Sequence, residues 1–260
     1  ADLIALCKQV FDDWKDVPET GFKINTFNEG ITNTLFRLRV STDASVKAAL
    51  VRVYGVGTEK LIDRDAEIKI LKAITKIESV GCQLYGYFDN GLVYEFIEGR
   101  SLKPKELPDF MIPAAVEMAR WHKVVLPEDM GEKKALVWAT MNKWLKALPE
   151  KYDNPEKAKR FAEKIDVAWI KAELKDMQDK LSHYPVVFSH NDTLAMNLIL
   201  LPNEKEIRFI DYEYASYNYR AFDIANHFLE WGGFESDYEA VPTKYMQYDF
   251  FEAYFNELNG

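Results

Sequence analysis

The feature that most limits what this chain can fold into is the order of its hydrophobic periodicities, with strands first and helices after. Residues 22–27, 34–40 and 47–54 alternate or run apolar, separated by Asn28-Glu29-Gly30 and Ser41-Thr42-Asp43. A two-residue repeat turns one face of a strand toward a core. Between residues 59 and 78, Leu61, Ile62, Ile68, Leu71, Ile74 and Ile77 recur at helical intervals. Residues 83–88 and 92–97 then flank Asp89-Asn90-Gly91, whose Asn-Gly pair is a strong hairpin signal. A short helix over residues 2–14 (Leu3, Leu6, Val10, Trp14) precedes them. From 107 to 181 the spacing is helical, with amphipathic stretches at 114–125, 136–148 and 156–181, and helix resumes from 221 to 258. Segregated strands and helices read as an α+β fold. The N-terminal antiparallel sheet lobe with one main helix covers 1–98, and a mostly helical lobe covers 99–260. Gly99-Arg100 and Pro104 mark the change.

One short hairpin interrupts the helical half. Val186-Val187-Phe188 reads as a buried strand delivering His190 and Asp192 at its end, within Ser189-His190-Asn191-Asp192-Thr193-Leu194-Ala195-Met196-Asn197. Residues 198–201 form an apolar run, Pro202-Asn203-Glu204-Lys205 is turn chemistry, and 207–210 is a second strand. Antiparallel pairing of these two runs brings Asn197 and Asp211 to the same end, with Asp192 one loop away. One neutral oxygen ligand and two carboxylates suit hard Mg²⁺ beside a phosphate chain. The order Asp…Asn…Asp is that of a kinase catalytic loop followed by its metal-binding Asp, with His-x-Asp here in place of His-Arg-Asp.

Phosphoryl transfer asks mainly for positioning and charge neutralisation, and each part has a candidate. Asp192 is the base for a hydroxyl. Asn197 and Asp211 are the metal ligands, with Glu213 behind them. Arg52, a charge inside the apolar strand Leu50-Val51-Arg52-Val53-Tyr54, is placed to hold nucleotide phosphates, and Glu67 on the following helix to pair with its fork. The turn Asn28-Glu29-Gly30-Ile31-Thr32-Asn33, with Gly30 and Asn33, is a candidate phosphate cover, although from sequence alone a plain hairpin turn explains it better. Glu95 and Ile97 end the last sheet strand, where backbone groups would read a nucleotide base. His190 reads as a loop brace and His122 as a satisfied core histidine.

Other chemistries lack their residues. There is no G-x-x-x-x-G-K-[ST] and no G-x-S-x-G, and His183 and His190 lack zinc spacing and a third ligand. A net charge of −9 disfavours nucleic acid and suits a small cationic substrate. Cys7 and Cys82, far apart and outside any CxxC, read as buried hydrophobes in a reducing compartment. With no basic-then-apolar leader and no membrane-length apolar run, the expected location is cytoplasmic.

The segments His190 to Asn197, Ile210-Asp211-Tyr212-Glu213-Tyr214-Ala215-Ser216-Tyr217-Asn218-Tyr219 and Phe222-Asp223-Ile224-Ala225-Asn226-His227-Phe228-Leu229-Glu230-Trp231 together resemble choline/ethanolamine kinases. Val51-Arg52-Val53-Tyr54-Gly55 is similar to that family's third-strand arginine, and Tyr94-Glu95-Phe96-Ile97-Glu98-Gly99-Arg100 to its hinge. Glu29-Gly30 is similar to its glycine-pair turn, with Glu29 in place of the first glycine. The resemblance implies a protein-kinase-like two-lobed fold, ATP and Mg²⁺ as cofactors, and phosphorylation of an amino alcohol for phospholipid head groups. A homodimer is among its implied assemblies. Carried over by position, Asp192 is the base, Asn197 and Asp211 hold the metal, Arg52 contacts phosphates and Glu230 faces the substrate amine. Trp231, Tyr217 and Tyr238 offer aromatic faces to that cation, each worth roughly 0.5–2 kcal/mol, and each equally readable as core. Leu194 stands where choline kinases tend to have Gln, and Trp231-Gly232-Gly233-Phe234 with Asp237-Tyr238 and Pro242 is similar to the ethanolamine branch. The family also carries amine-caging aromatics on helices beyond the position of Gly260. A kinase of another small alcohol, such as an aminoglycoside or sugar, and a nucleotide-binding pseudokinase are the competing readings.

Overall fold

Parity along the third strand decides what the first half of the molecule can do. In the computed structural model, which describes residues 3–27, 33–40, 48–55, 63–77, 80–149 and 151–260, five strands form an antiparallel sheet in the order β1-β2-β3-β5-β4. They are β1 (Phe22–Phe27), β2 (Asn33–Val40), β3 (Ala49–Tyr54), β4 (Leu84–Phe88) and β5 (Gly91–Glu95). Val51 of β3 is opposite Val93 of β5 and points to one face. There it packs with Cys7 and Trp14, which lie in and just after α1 (Leu3–Val10), and with Leu38, Val40 and Ala49. Arg52, one residue on, must point to the other face. That face is covered by α2 (Arg64–Ile74), whose Asp63 cap accepts the Ala66 N–H and whose Ile70, Leu71 and Ile74 fill the core. The expected helix over 59–78 is therefore α2 in its described part.

The sheet connects to the rest through a tight crossing. After β5 the chain reaches Gly99 at φ +152°, where an added Cβ would lie 2.3 Å from the Leu200 carbonyl oxygen. Only a glycine lets the backbone pass so close. Immediately beyond it, β6 (Arg100–Ser101) pairs with β8 (Leu198–Leu200), which pairs in turn with β9 (Ile207–Phe209). A second small sheet joins β7 (Val186–Ser189) to β10 (Ser216–Tyr219). The short β6 and β10 lie outside the sequence-predicted strands, since two to four residues give too little pattern to read.

Around these hairpins stand α3 (Met111–Lys123), α4 (Val137–Ala147), α5 (Pro155–Lys164), α6 (Val167–Leu181), α7 (Arg220–Glu230) and α8 (Lys244–Asn259). Two expected long helices are each broken. The stretch 156–181 is interrupted where Asp166 caps the Trp169 N–H and starts α6. The stretch 221–258 is interrupted between α7 and α8 by Gly232-Gly233, with Gly233 at φ +58°, and a turn through Pro242. One apolar cluster runs from Ile70 and Leu92 through Trp121, Phe188, Leu198 and Phe209 to Phe228, Phe250 and Tyr254. It carries the sheet and the β8–β9 hairpin as one packed body. Cys7 and Cys82 are free and buried, and burial pushes both thiols up to about 12. Among the described residues no helix is long and apolar enough to cross a membrane.

Candidate active site

The β8–β9 hairpin forms as its sequence predicts. Leu198 is opposite Phe209, and the Ile210 N–H donates to the Asn197 carbonyl at 2.9 Å. Asn197 and Asp211 thus sit at the open end of the hairpin, one on each arm. Asn197 spends its amide nitrogen on Asp192, donating to its carboxylate and to its backbone carbonyl, both at 2.9 Å. The side chain's carbonyl oxygen is the atom left to serve as a ligand.

Two residues here adopt left-handed backbone, Asn191 at φ 66° and Asp211 at φ 64°. Asn and Asp bear this conformation at smaller cost than other side chains. Bonds on all sides hold Asn191. Its amide donates to the Tyr214 carbonyl (2.9 Å) and Ser216 Oγ (3.0 Å), and its side-chain oxygen accepts from Asn218 (2.7 Å). The backbone N–H groups of His190 and Asn191 both donate to the buried carboxylate of Asp223 at 2.7 Å. His190 is fully buried and donates through Nε2 to the Ile210 carbonyl at 2.9 Å, and burial lowers its pKa, so it braces the two arms as a neutral ring.

Arg52 links the sheet to this hairpin. Its guanidinium contacts Glu67 on α2 and donates to Asp211 at 2.6 Å. Arg64, at the start of α2, reaches Glu67 at 2.9 Å and Glu213 at 3.2 Å, and Asn33 donates to Glu213 at 3.3 Å. The expected Arg52–Glu67 pair is formed, and Arg64 doubles it. Arg64 escaped the sequence reading although its i,i+3 spacing to Glu67 was a usable signal.

Acid outnumbers base here. Oxygens of Glu67, Asp211 and Glu213 lie within 4.8 Å of one another, facing the guanidinium groups of Arg52 and Arg64. Asp192 adds another carboxyl, pushed up to about 7 by burial and then by the charges of Asp211 and Glu230, against the opposing Asn197 bond. Burial and Asp211 likewise raise Glu213, and burial raises Glu230. A polyphosphate cannot approach so many carboxylates unless cations neutralise them. An all-oxygen donor set of this kind suits a hard divalent ion such as Mg²⁺.

The remaining candidates are placed as follows. Glu230 ends α7, partly buried, close enough for its charge to act on Asp192. Trp231 is buried and its indole N–H donates to His227 Nε2 at 3.4 Å. His227 Nδ1 in turn faces the Thr193 carbonyl at 3.3 Å, beside Asp192, and burial lowers the His227 pKa to about 4. Tyr217 is buried, with its hydroxyl accepting the Leu126 N–H at 3.1 Å. These two aromatics are built into the core, while Tyr238 is 73% exposed. The Glu95 carboxylate accepts the Gln83 N–H at 3.1 Å, and Ile97 packs on the core. Gly30 lies outside the described residues. Asp223 and Asn226, which accepts the Thr193 N–H at 2.7 Å, carry no signal in the sequence beyond their place in a motif. Their function depends on which backbone they reach across about thirty residues.

The family model for choline/ethanolamine kinase matches residues 24–260. The chain is 36% identical over 258 residues to a probable ethanolamine kinase of Arabidopsis thaliana, covering 97% of this chain and 68% of the relative. It is 32% identical to probable ethanolamine kinase A of Dictyostelium discoideum, covering 98% and 74%. Its fold matches the structure of a Plasmodium vivax ethanolamine kinase with a TM-score of 0.84 at 27% identity, over 94% of this chain and 70% of that one.

Proposed function

Because this chain belongs to the choline/ethanolamine kinase family, we propose that it moves the terminal phosphoryl group of ATP onto the hydroxyl of an amino alcohol, ethanolamine ahead of choline. It is a small-molecule kinase with the protein-kinase-like fold. The observation that carries the reading is Asp192, fixed by Asn197 beside Asp211 and within the field of Glu230. In the transfer the alcohol O–H bond breaks, its oxygen takes the phosphoryl group, and ADP leaves. Asp192 orients the hydroxyl and accepts its proton, which a carboxylate with a pKa near 7 does well at neutral pH.

Asn197 and Asp211 would hold Mg²⁺, with Glu213 alongside. The ion's part is to offset charge on the phosphates. Arg52, oriented by Glu67, contacts those phosphates, and residues 1–98 carry the nucleotide. Asn33, which starts β2 and donates to Glu213, would face the phosphates, and backbone groups around Glu95 and Ile97 would read the base. Glu230 takes the amine. A half-buried carboxylate regains most from a partner that donates hydrogen bonds. A primary ammonium does so and a trimethylammonium does not, which favours ethanolamine. Tyr238 is open to that cation. Trp231 is read as a neighbour that holds the loop through His227, and Tyr217 as part of the core, rather than as faces offered to the substrate. The setting proposed is phospholipid head-group synthesis in the cytoplasm.

The test is ADP release with ethanolamine, choline, an aminoglycoside and a sugar, measured side by side. Turnover should be highest with ethanolamine and lost in Asp192→Ala. ADP formation with the sugar or aminoglycoside but neither amino alcohol would overturn the substrate class. ATP-dependent stabilisation with no turnover on any alcohol would overturn catalysis.

A further inference from the structure

The loop that carries Asp192 is held from behind by buried polar groups that end on α8. Asp223 on α7 accepts the N–H groups of His190 and Asn191. Its Oδ2 also faces His122 Nε2 on α3 at 3.1 Å, and His122 Nδ1 lies 2.6 Å from the Tyr254 hydroxyl on α8. The side chains of His122 and Asp223 are wholly buried, and so is Tyr254. The Asp223 carboxylate, which already accepts two N–H groups, offers His122 only further lone pairs. Nε2 therefore carries a hydrogen directed at Asp223, and the Tyr254 hydroxyl holds Nδ1, so the ring is fixed at both nitrogens. Apolar side chains could fill this volume, but they would not orient a carboxylate. Directional bonds to two nitrogens do.

We propose that Tyr254 and His122 are positioning residues for phosphoryl transfer. They set the Asp223 carboxylate, which clamps the left-handed turn at Asn191 and so fixes where Asp192 stands. Helix α8 thereby reports on the reacting end of the molecule from across the core. The kinetic part rests on the reading of Asp192 as acceptor of the hydroxyl proton, while the tether itself is independent of it.

Tyr254→Phe removes one hydroxyl and keeps the ring that stacks on Phe250. It should lower kcat about tenfold with both KM values within about twofold, the pattern of an interaction felt in the transition state. His122→Leu should lower kcat about 100-fold, a size seen when a group that orients a reacting side chain is lost. His122→Gln, whose amide N–H can donate to Asp223 in place of Nε2–H, should restore about tenfold of that. Hydrogen exchange at the His190 and Asn191 amides should quicken about tenfold in Tyr254→Phe, and this needs no turnover. If the wild type phosphorylates no alcohol, the functional reading fails, and amide exchange still decides the tether. Unchanged kcat together with unchanged exchange in Tyr254→Phe would overturn the proposal. So would His122→Gln no better than His122→Leu, with kcat falling only in step with melting temperature. If His122→Leu does not fold, Tyr254→Phe alone carries the decision.

Discussion

Asp192→Asn should abolish turnover and make the protein more stable, by an amount that depends on pH. In the folded chain this carboxyl is pushed from the ordinary 3.8 to about 7, first by burial and then by Asp211 and Glu230. An acid whose pKa rises on folding favours the folded state only when protonated. Stability is lost as pH climbs between the unfolded value and the folded one, and the whole cost is present above pH 7. By linkage the ceiling on that cost is about 4 kcal/mol at pH 8. Partial solvent access reduces it to about 2 kcal/mol. An asparagine removes the charge yet can still present a carbonyl oxygen to the Asn197 amide, which donates to Asp192 at 2.9 Å, so little is lost in exchange. For a chain of this size about 2 kcal/mol corresponds to roughly 4–8 °C in melting temperature. Calorimetry in metal-free buffer at pH 8 should show that gain, and at pH 4, where the native carboxyl is already protonated, the gain should fall below about 1 kcal/mol. An Asn variant equal to or less stable than the parent at pH 8, or a gain that ignores pH, would refute the idea that Asp192 stores unfavourable charge for catalysis.

With both substrates well below saturation, the rate should fall about tenfold between its alkaline plateau and pH 6, because the free-enzyme base must be ionised. A rate limb near pH 4 would place the base elsewhere. Arg52→Lys keeps the charge but cannot fork between Glu67 and Asp211, which both contact Arg52. The KM for ATP should rise about tenfold while the KM for the alcohol moves little, measured in a two-substrate rate analysis. Gly99→Ala forces a Cβ toward the Leu200 carbonyl at a φ of +152°. Chemical denaturation should show a loss of about 2 kcal/mol or more, and a neutral result would mean that β6 is free to move away from β8.

The sequence alone determined those features that depend on local spacing. Alternation gave the sheet, turn residues at Asp89-Asn90 marked its last hairpin, and the Asn197 and Asp211 flanks of β8 and β9 followed from antiparallel pairing across a short turn. Parity carried the Arg52–Glu67 pair, because a charge inside an apolar strand must point at whatever covers that face. Local spacing overran at the helices, where capping by Asp166 and the bend at Gly232-Gly233 ended segments that hydrophobic period would have continued. Tertiary structure alone decided the rest. Asp223 clamps a loop about thirty residues upstream, Arg64 joins Glu67 on its own helix to Glu213 just past β9, and Tyr217 and Trp231 turn inward to their own hydrogen bonds. No periodicity encodes these contacts. They arise because burial brings distant polar groups together in a medium where each must find a partner, and only the packed chain says which partner that is.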